Sequence, residues 1–128
     1  MATARQRISA DFISAVCTNA ELVGHFVYMT PSAEVRRVDI ANRLKMPAFG
    51  VIVQKPNATS CVVQISGVVA NVFFGMTPGN VLISQGGTPT NTLTYPLSGV
   101  RWIQLVGTAI AADRLALNFH RPVGVVPL

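Results

Sequence analysis

The sequence predicts an all-β fold, either a small β-barrel or a β-sandwich, with an extended N-terminal arm and an extended C-terminal tail. Three observations carry this prediction. Hydrophobic residues make up 50% of the 128 residues and charged residues only 12%, about half the usual charged share. No Asp, Glu, Lys or Arg occurs between residues 56 and 100, where β-branched and aromatic clusters alternate with turn-forming residues. Finally, the second half of the chain resembles the first, which indicates two pseudo-repeated hairpin units.

The length indicates a single domain that can build its own hydrophobic core. Residues 1–10 are polar and basic and are expected to be an arm that orders against a partner. Residues 11–120 form the predicted β-barrel domain. Residues 121–128 contain two prolines and are expected to be an extended tail.

The first element, within residues 9–22, has two interpretations. Apolar residues recur every fourth position, as in a helix, but β-branched and aromatic residues dominate its centre, which favours a strand. After residue 24 the pattern predicts strands separated by Pro- and Gly-containing turns, with a strong turn at residues 77–80. Those strands are expected at residues 26–29, 35–40, 49–53, 60–65, 67–74, 81–84, 92–95, 102–110 and 115–119.

The repeat joins segments about 55 residues apart. Residues 24–30 match 79–84, and the pair 49–53 with 61–65 matches 106–110 with 115–119. Both copies contain a glycine-opened strand, a turn and a second strand. Because one such unit cannot bury a core alone, we expect the two units to pack against each other.

Few side chains in the sequence could perform catalysis. His25 and His120 have no His, Cys, Asp or Glu at metal-ligand spacing, and the three Asp residues form no close pair. Cys17 and Cys61 fit no CxxC motif, and Cys61 lies in an apolar run typical of a buried free thiol. The sequence therefore predicts a non-enzymatic protein without a metal or cofactor.

The net charge of +5 comes mainly from arginine, which makes up eight of the ten basic residues. Arginine favours bidentate ion pairs with acidic partners. The residues predicted to bind a partner are Arg5, Arg7, Arg36, Arg37 and Arg121. Arg36 and Arg37 would point to opposite faces of one strand, and no exposed aromatic residue is expected beside them, so nucleic acid is disfavoured.

Three segments give the chain a resemblance to small β-rich virion proteins of tailed bacteriophages. They are MPAFGVIV at 46–53, VVQISGVV at 62–69 and GMTPGNVLIS at 75–84, and QLVGTAI at 104–110 is similar to the closing hairpin of such domains. The family includes head decoration (cement) proteins, head fibres and tail-fibre domains. This chain differs by Met76, where leucine is usual, and by its C-terminal extension.

The resemblance implies a compact β-tulip-like domain, and a homotrimer bound to the major capsid protein or to other virion proteins. It implies a virion location after assembly in the host cytoplasm, with no membrane association. The leading hypothesis is a capsid decoration protein that bridges subunits through the arm, the tail and the apolar surface of the charge-free stretch. The polar but uncharged hairpin at residues 84–94 is also expected to contact a neighbour. A tail, collar or fibre component is the alternative, and a small nucleic-acid-binding β-barrel is a further alternative.

Overall fold

The computed structural model describes residues 10–92 and 98–126. The described residues form twelve β-strands and one short 3₁₀ turn at Arg43–Lys45. The strands are β1 (Phe12–Val16), β2 (Phe26–Met29), β3 (Val35–Arg37), β4 (Gly50–Asn57), β5 (Ser60–Gln64), β6 (Val68–Ala70), β7 (Gly79–Ile83), β8 (Pro89–Thr90), β9 (Arg101–Ile103), β10 (Leu105–Ala111), β11 (Arg114–Leu117) and β12 (Val123–Val125).

Two five-stranded antiparallel sheets contain most of these strands, and they have the same topology. The first sheet has the order β1-β5-β4-β2-β3, and the second has the order β6-β11-β10-β7-β8. Each strand of the first sheet thus has an equivalent in the second. The repeat predicted from the sequence covers three of these pairs, β2 with β7, β4 with β10 and β5 with β11. Neither sheet closes on itself among the described residues, so the all-β prediction is confirmed in its sandwich form.

The main hydrophobic core lies between the two sheets. Phe26 and Val51 contribute from the first sheet, and Val81, Val106 and Leu115 contribute from the second. Phe26 stacks on Phe73 with ring centroids 6.0 Å apart and meets Phe119 edge-on at 6.2 Å. Packing of two inward-facing apolar faces is the usual source of stability in a β-sandwich.

A second core cluster covers the other face of the first sheet. Val27 and Ile52 alternate with the inward-facing Phe26 and Val51, and they pack with Val63 and with both cysteines. The first sheet is therefore buried on both faces. Its central strands accordingly read as nearly continuous apolar runs instead of the alternating pattern of a half-exposed strand.

The strand interpretation of residues 9–22 is confirmed by β1, which pairs with β5 from Phe12 opposite Gln64 to Val16 opposite Ser60. Other boundaries differ from the prediction. The strands predicted at 35–40 and 67–74 extend only over β3 and β6, and β7 begins at Gly79, inside the predicted turn 77–80. Most of the strand predicted at 92–95 lies outside the described residues.

The predicted strand 102–110 divides at Gln104 into β9 and β10. β10 stays in the second sheet, whereas β9 leaves it and pairs with β12 from the C-terminal segment. Val123–Val125 of the predicted tail therefore forms hydrogen bonds within its own chain. β9 separates from β10 at Gln104 because the Gln104 side chain points inward and forms hydrogen bonds with the backbone of Ala48.

Candidate interaction surface

The arginines selected from the sequence lie on different elements. Arg5 and Arg7 lie outside the described residues. Arg36 and Arg37 lie on β3, an edge strand of the first sheet, and the exposed Arg121 lies in the segment between β11 and β12. Arg36 and Arg37 are consecutive residues of β3, and Arg121 lies on a different segment. The role of these arginines in partner binding stays a prediction.

Arg36 is already paired within the chain. Its guanidinium lies 2.5 Å from Glu34 Oε1 and donates a second hydrogen bond, of 2.9 Å, to the Val35 carbonyl oxygen. The hydrogen bond with Glu34 raises the pKa of Arg36 above its usual value. A phosphate or carboxylate from a partner would have to compete with this local carboxylate.

Arg37 serves to join the two halves of the molecule. Its aliphatic stem lies over Gly87, where an added Cβ atom would come within 2.7 Å of Arg37 Cγ. Gly87 also has a positive φ of 81° and accepts a hydrogen bond of 2.8 Å from Phe26 N. The uncharged hairpin between β7 and β8 is thereby fixed against the first sheet by a glycine that leaves room for the arginine stem.

An uncharged groove of about 590 Å³ lies beside this hairpin. Its walls come from residues 23–24, 72–77 and 88–92, together with Val81, and none of them is charged. Phe74 is 74% exposed and Val23 is 47% exposed at this site. Threonines and Asn91 supply uncharged polar groups beside these apolar side chains. We refer to this site as the uncharged groove.

The walls of the groove are held by specific contacts. Asn91 Nδ2 donates to the carbonyl oxygens of Thr77 and Asn80 at 3.1 and 2.9 Å, and Asn91 Oδ1 accepts from Thr77 N at 3.3 Å. Phe73 packs on Phe26 in the core, whereas its neighbour Phe74 is 74% exposed. Both lie in the irregular segment between β6 and β7, so the buried Phe73 anchors the segment from which Phe74 projects.

Part of the charge-free stretch lines this groove. Residues 88–92 belong to the uncharged hairpin at 84–94, for which contact with a neighbour is predicted from the sequence, and that contact stays a prediction. The sequence did not identify Phe74, because residues 67–74 were predicted as one strand, whereas β6 ends at Ala70. Strand periodicity gives no side-chain direction in the irregular segment that follows.

A buried polar cluster holds the loop at residues 17–25, which supplies Val23 and Gly24 to the groove. Lys55 Nζ donates to the Thr18 carbonyl oxygen at 2.5 Å and to that of Glu21. The Glu21 carboxylate accepts from Thr18 N at 2.8 Å and from Thr18 Oγ1 at 2.6 Å. Leu22 N donates to His25 Nδ1 at 3.0 Å, which requires a neutral imidazole with an unprotonated Nδ1.

The environment shifts two pKa values in this cluster. Burial raises the pKa of Glu21, but the hydrogen bonds from Thr18 outweigh it, and the net pKa lies below the usual value. Burial and the nearby charges of Arg37 and Lys55 lower the pKa of His25, which Glu21 only partly offsets. Every polar group of this cluster makes contacts that hold the loop, so the cluster is best explained as a structural support of the groove.

Comparisons of the chain with protein-family models, with curated proteins and with solved structures found no match. Within residues 10–92 and 98–126, no group of three or more His, Cys, Asp or Glu side chains is arranged to hold a metal ion. The same part of the chain contains no helix long and apolar enough to cross a bilayer.

Proposed function

We propose that this protein is a structural component of a tailed-bacteriophage virion, specifically a decoration protein that binds the major capsid protein on the head. The observation that carries the proposal is the uncharged groove with its exposed Phe74. The similarity of the strand and turn motifs at residues 46–53, 62–69 and 75–84 to phage virion proteins supports the same assignment.

The groove is suited to a protein partner. Burying one phenylalanine side chain contributes about 2–3 kcal/mol, because it removes a large apolar area from water. The threonine and asparagine groups around it are cheaper to desolvate than charged groups would be. A modest contact of this kind becomes effective on a capsid, where it repeats at many symmetric positions.

The arm and the tail extend this proposal. Residues 1–10, with Arg5 and Arg7, reach roughly 30 Å when extended, which is enough to contact an adjacent subunit. Arg121, which is exposed, precedes the strand β12. We assign these segments to secondary contacts with neighbouring virion subunits, including other copies of this chain in a homotrimer.

Binding to nucleic acid has weaker support. Arg36 is paired with Glu34, and the stem of Arg37 packs against Gly87. Phe26 is buried, so it offers no stacking surface beside these arginines. Binding of single-stranded nucleic acid uses exposed aromatic faces next to unpaired positive charge.

The substitution Phe74→Ser tests the role of the groove in capsid binding. We expect it to weaken binding to capsids stripped of this protein by roughly 30- to 100-fold, the equivalent of losing about 2–3 kcal/mol. The measurement is co-sedimentation with the stripped capsids over a range of protein concentrations. Because Phe74 is exposed, we expect the thermal unfolding temperature of the Phe74→Ser variant to remain close to that of the wild type.

Leu44→Ser is the matched control. Leu44 is 83% exposed and lies on the 3₁₀ turn, where it does not line the groove. It should bind capsids within about twofold of the wild type. Equal losses in the two variants, or no loss in Phe74→Ser, would remove the groove from the binding surface.

A further inference from the structure

Cys17 directly follows β1, and Cys61 lies on the neighbouring strand β5, where the two are diagonal neighbours across the pairing. In the antiparallel pairing of β1 with β5, Ala15 is directly opposite Cys61. The pairing continues beyond β1, because Cys17 N donates to the Thr59 carbonyl oxygen at 3.0 Å. Cys17 is two residues from Ala15, so its side chain points to the same face of the sheet as that of Cys61.

Both thiols are free and belong to the same core cluster on the outer face of the first sheet. Cys17 is 2% exposed and Cys61 is 1% exposed. Cys61 Sγ donates to the Ala15 carbonyl oxygen at 3.7 Å. Burial, with the nearby Cys17 thiol as a second cause, raises the pKa of Cys61 to about 12. Both thiols are therefore protected from solvent in one core cluster while they are reduced.

We propose that Cys17 and Cys61 form an intrachain disulfide upon oxidation, which cross-links β1 to β5. Among residues 10–92 and 98–126, β1 is an edge strand that pairs only with β5, and it begins at Phe12, shortly after residues 1–10. Edge strands at chain ends are among the first elements to open locally. The cross-link would fix the strand from which the N-terminal arm extends.

The reaction needs an oxidant, for which a low-molecular-weight disulfide such as oxidised glutathione suffices. One cysteine thiolate attacks a sulfur of glutathione disulfide and releases one reduced glutathione. The second cysteine thiolate then attacks the mixed disulfide, forms the Cys17–Cys61 bond and releases the second glutathione. Two protons leave the protein thiols, and two electrons reduce the oxidant to two molecules of glutathione.

The raised pKa determines the conditions of the test. A thiol is nucleophilic only as its thiolate, so the folded protein should react slowly at neutral pH and faster when β1 opens or the pH rises. The full-length protein is therefore incubated with millimolar oxidised glutathione at mildly alkaline pH. It is then denatured, alkylated with iodoacetamide and analysed by mass spectrometry with and without tryptic digestion.

We expect the oxidised chain to lose the mass of two hydrogen atoms and to take up no alkylating agent. Trypsin should yield a single cross-linked species that joins peptides 8–36 and 46–101, because Pro56 blocks cleavage after Lys55. Closing a loop of about 45 residues should raise the unfolding temperature by on the order of 10 °C, and reduction should reverse this rise. The variant Cys17→Ala should show no such rise after the same treatment.

Three outcomes would overturn the proposal. They are full alkylation of both thiols after oxidation, a stable mixed disulfide with glutathione, and interchain dimers in place of the intrachain bond. The mass measurement decides among them on the wild-type chain, so the test does not depend on the folding of a cysteine variant. Capsid binding plays no part in the readout, so the result is independent of the proposed function.

Discussion

At the scale of single residues, the buried side chain of Gln104 links distant segments of the chain through hydrogen bonds. Its side-chain amide accepts from Ala48 N at 2.8 Å and donates to the carbonyl oxygens of Ala48 and His120, both at 2.9 Å. Gln104 is only 1% exposed, so these hydrogen bonds are shielded from water. One side chain thereby ties the segment before β4 to the junction of β9 and β10 and to the residues after β11.

The substitution Gln104→Leu should destabilise the protein by about 2–4 kcal/mol, because it leaves buried backbone groups of Ala48 without partners. The measurement is the free energy of unfolding from urea titration. Gln85→Leu is the control, since Gln85 is exposed in the β7–β8 hairpin and should change the free energy by at most about 0.5 kcal/mol. A similar small change in both variants would show that the Gln104 hydrogen bonds contribute little.

Sequence patterns could not identify Gln104. It lies inside the apolar run 102–110, where a single polar residue in a strand normally faces solvent. Its partners lie 56 and 16 residues away in the sequence. Only the long-range packing shows that this side chain is buried and hydrogen-bonded.

At the scale of elements, the loop at residues 17–25 depends on the charge state of His25. The neutral imidazole accepts from Leu22 N, and Glu21, Arg37 and Lys55 are the charged groups that influence it. Protonation at Nδ1 would eliminate this hydrogen bond and place a positive charge near Arg37 and Lys55. The loop should therefore be less stable in acid, and Val23 and Gly24 in the groove wall should be less stable with it.

The sign of the pH dependence follows from the lowered pKa of His25. In the pH range between this lowered value and about 6.5, the unfolded chain binds more protons than the folded chain. The stabilisation is thus complete above about pH 6.5 and decreases as the pH falls through the folded pKa. The lowered pKa of Glu21 adds a second loss below about pH 4.5 by the same argument.

We expect the free energy of unfolding to decrease from pH 7.5 to pH 5.5 in the wild type and to change less in His25→Gln. Urea titration at each pH measures this difference. His120→Gln removes an exposed histidine and should retain the pH dependence of the wild type. An unchanged pH dependence in His25→Gln would exclude His25 as its source.

The elements were predicted unevenly. The strands that form the repeated units, β2, β4, β5, β7, β10 and β11, were recognised because their glycines, turns and apolar clusters recur in both halves of the chain. The pairing of β9 with β12 was not predicted. A three-residue strand carries no local signal of its partner, and Val123–Val125 resembles any extended tail.

At the scale of the whole molecule, the repeated sequence pattern corresponds to the repeated sheet topology. The sandwich that results buries the first sheet on both faces, so part of the charge-free stretch, including Cys61, Val63, Val69 and Val81, is core. The remainder of the stretch forms the hairpin and the uncharged groove. Composition alone could not distinguish the buried core from the uncharged groove within this stretch, because neither contains a charged residue.

The proposed function requires this chain to be a subunit of a virus particle, bound there in many copies. Quantitative mass spectrometry of particles purified from a phage whose genome contains this sequence tests that requirement directly, with the major capsid protein as the internal standard. We expect hundreds of copies per particle for a head decoration protein. Six or twelve copies would place the protein in the neck or tail instead, and its absence from intact particles would contradict the proposed function.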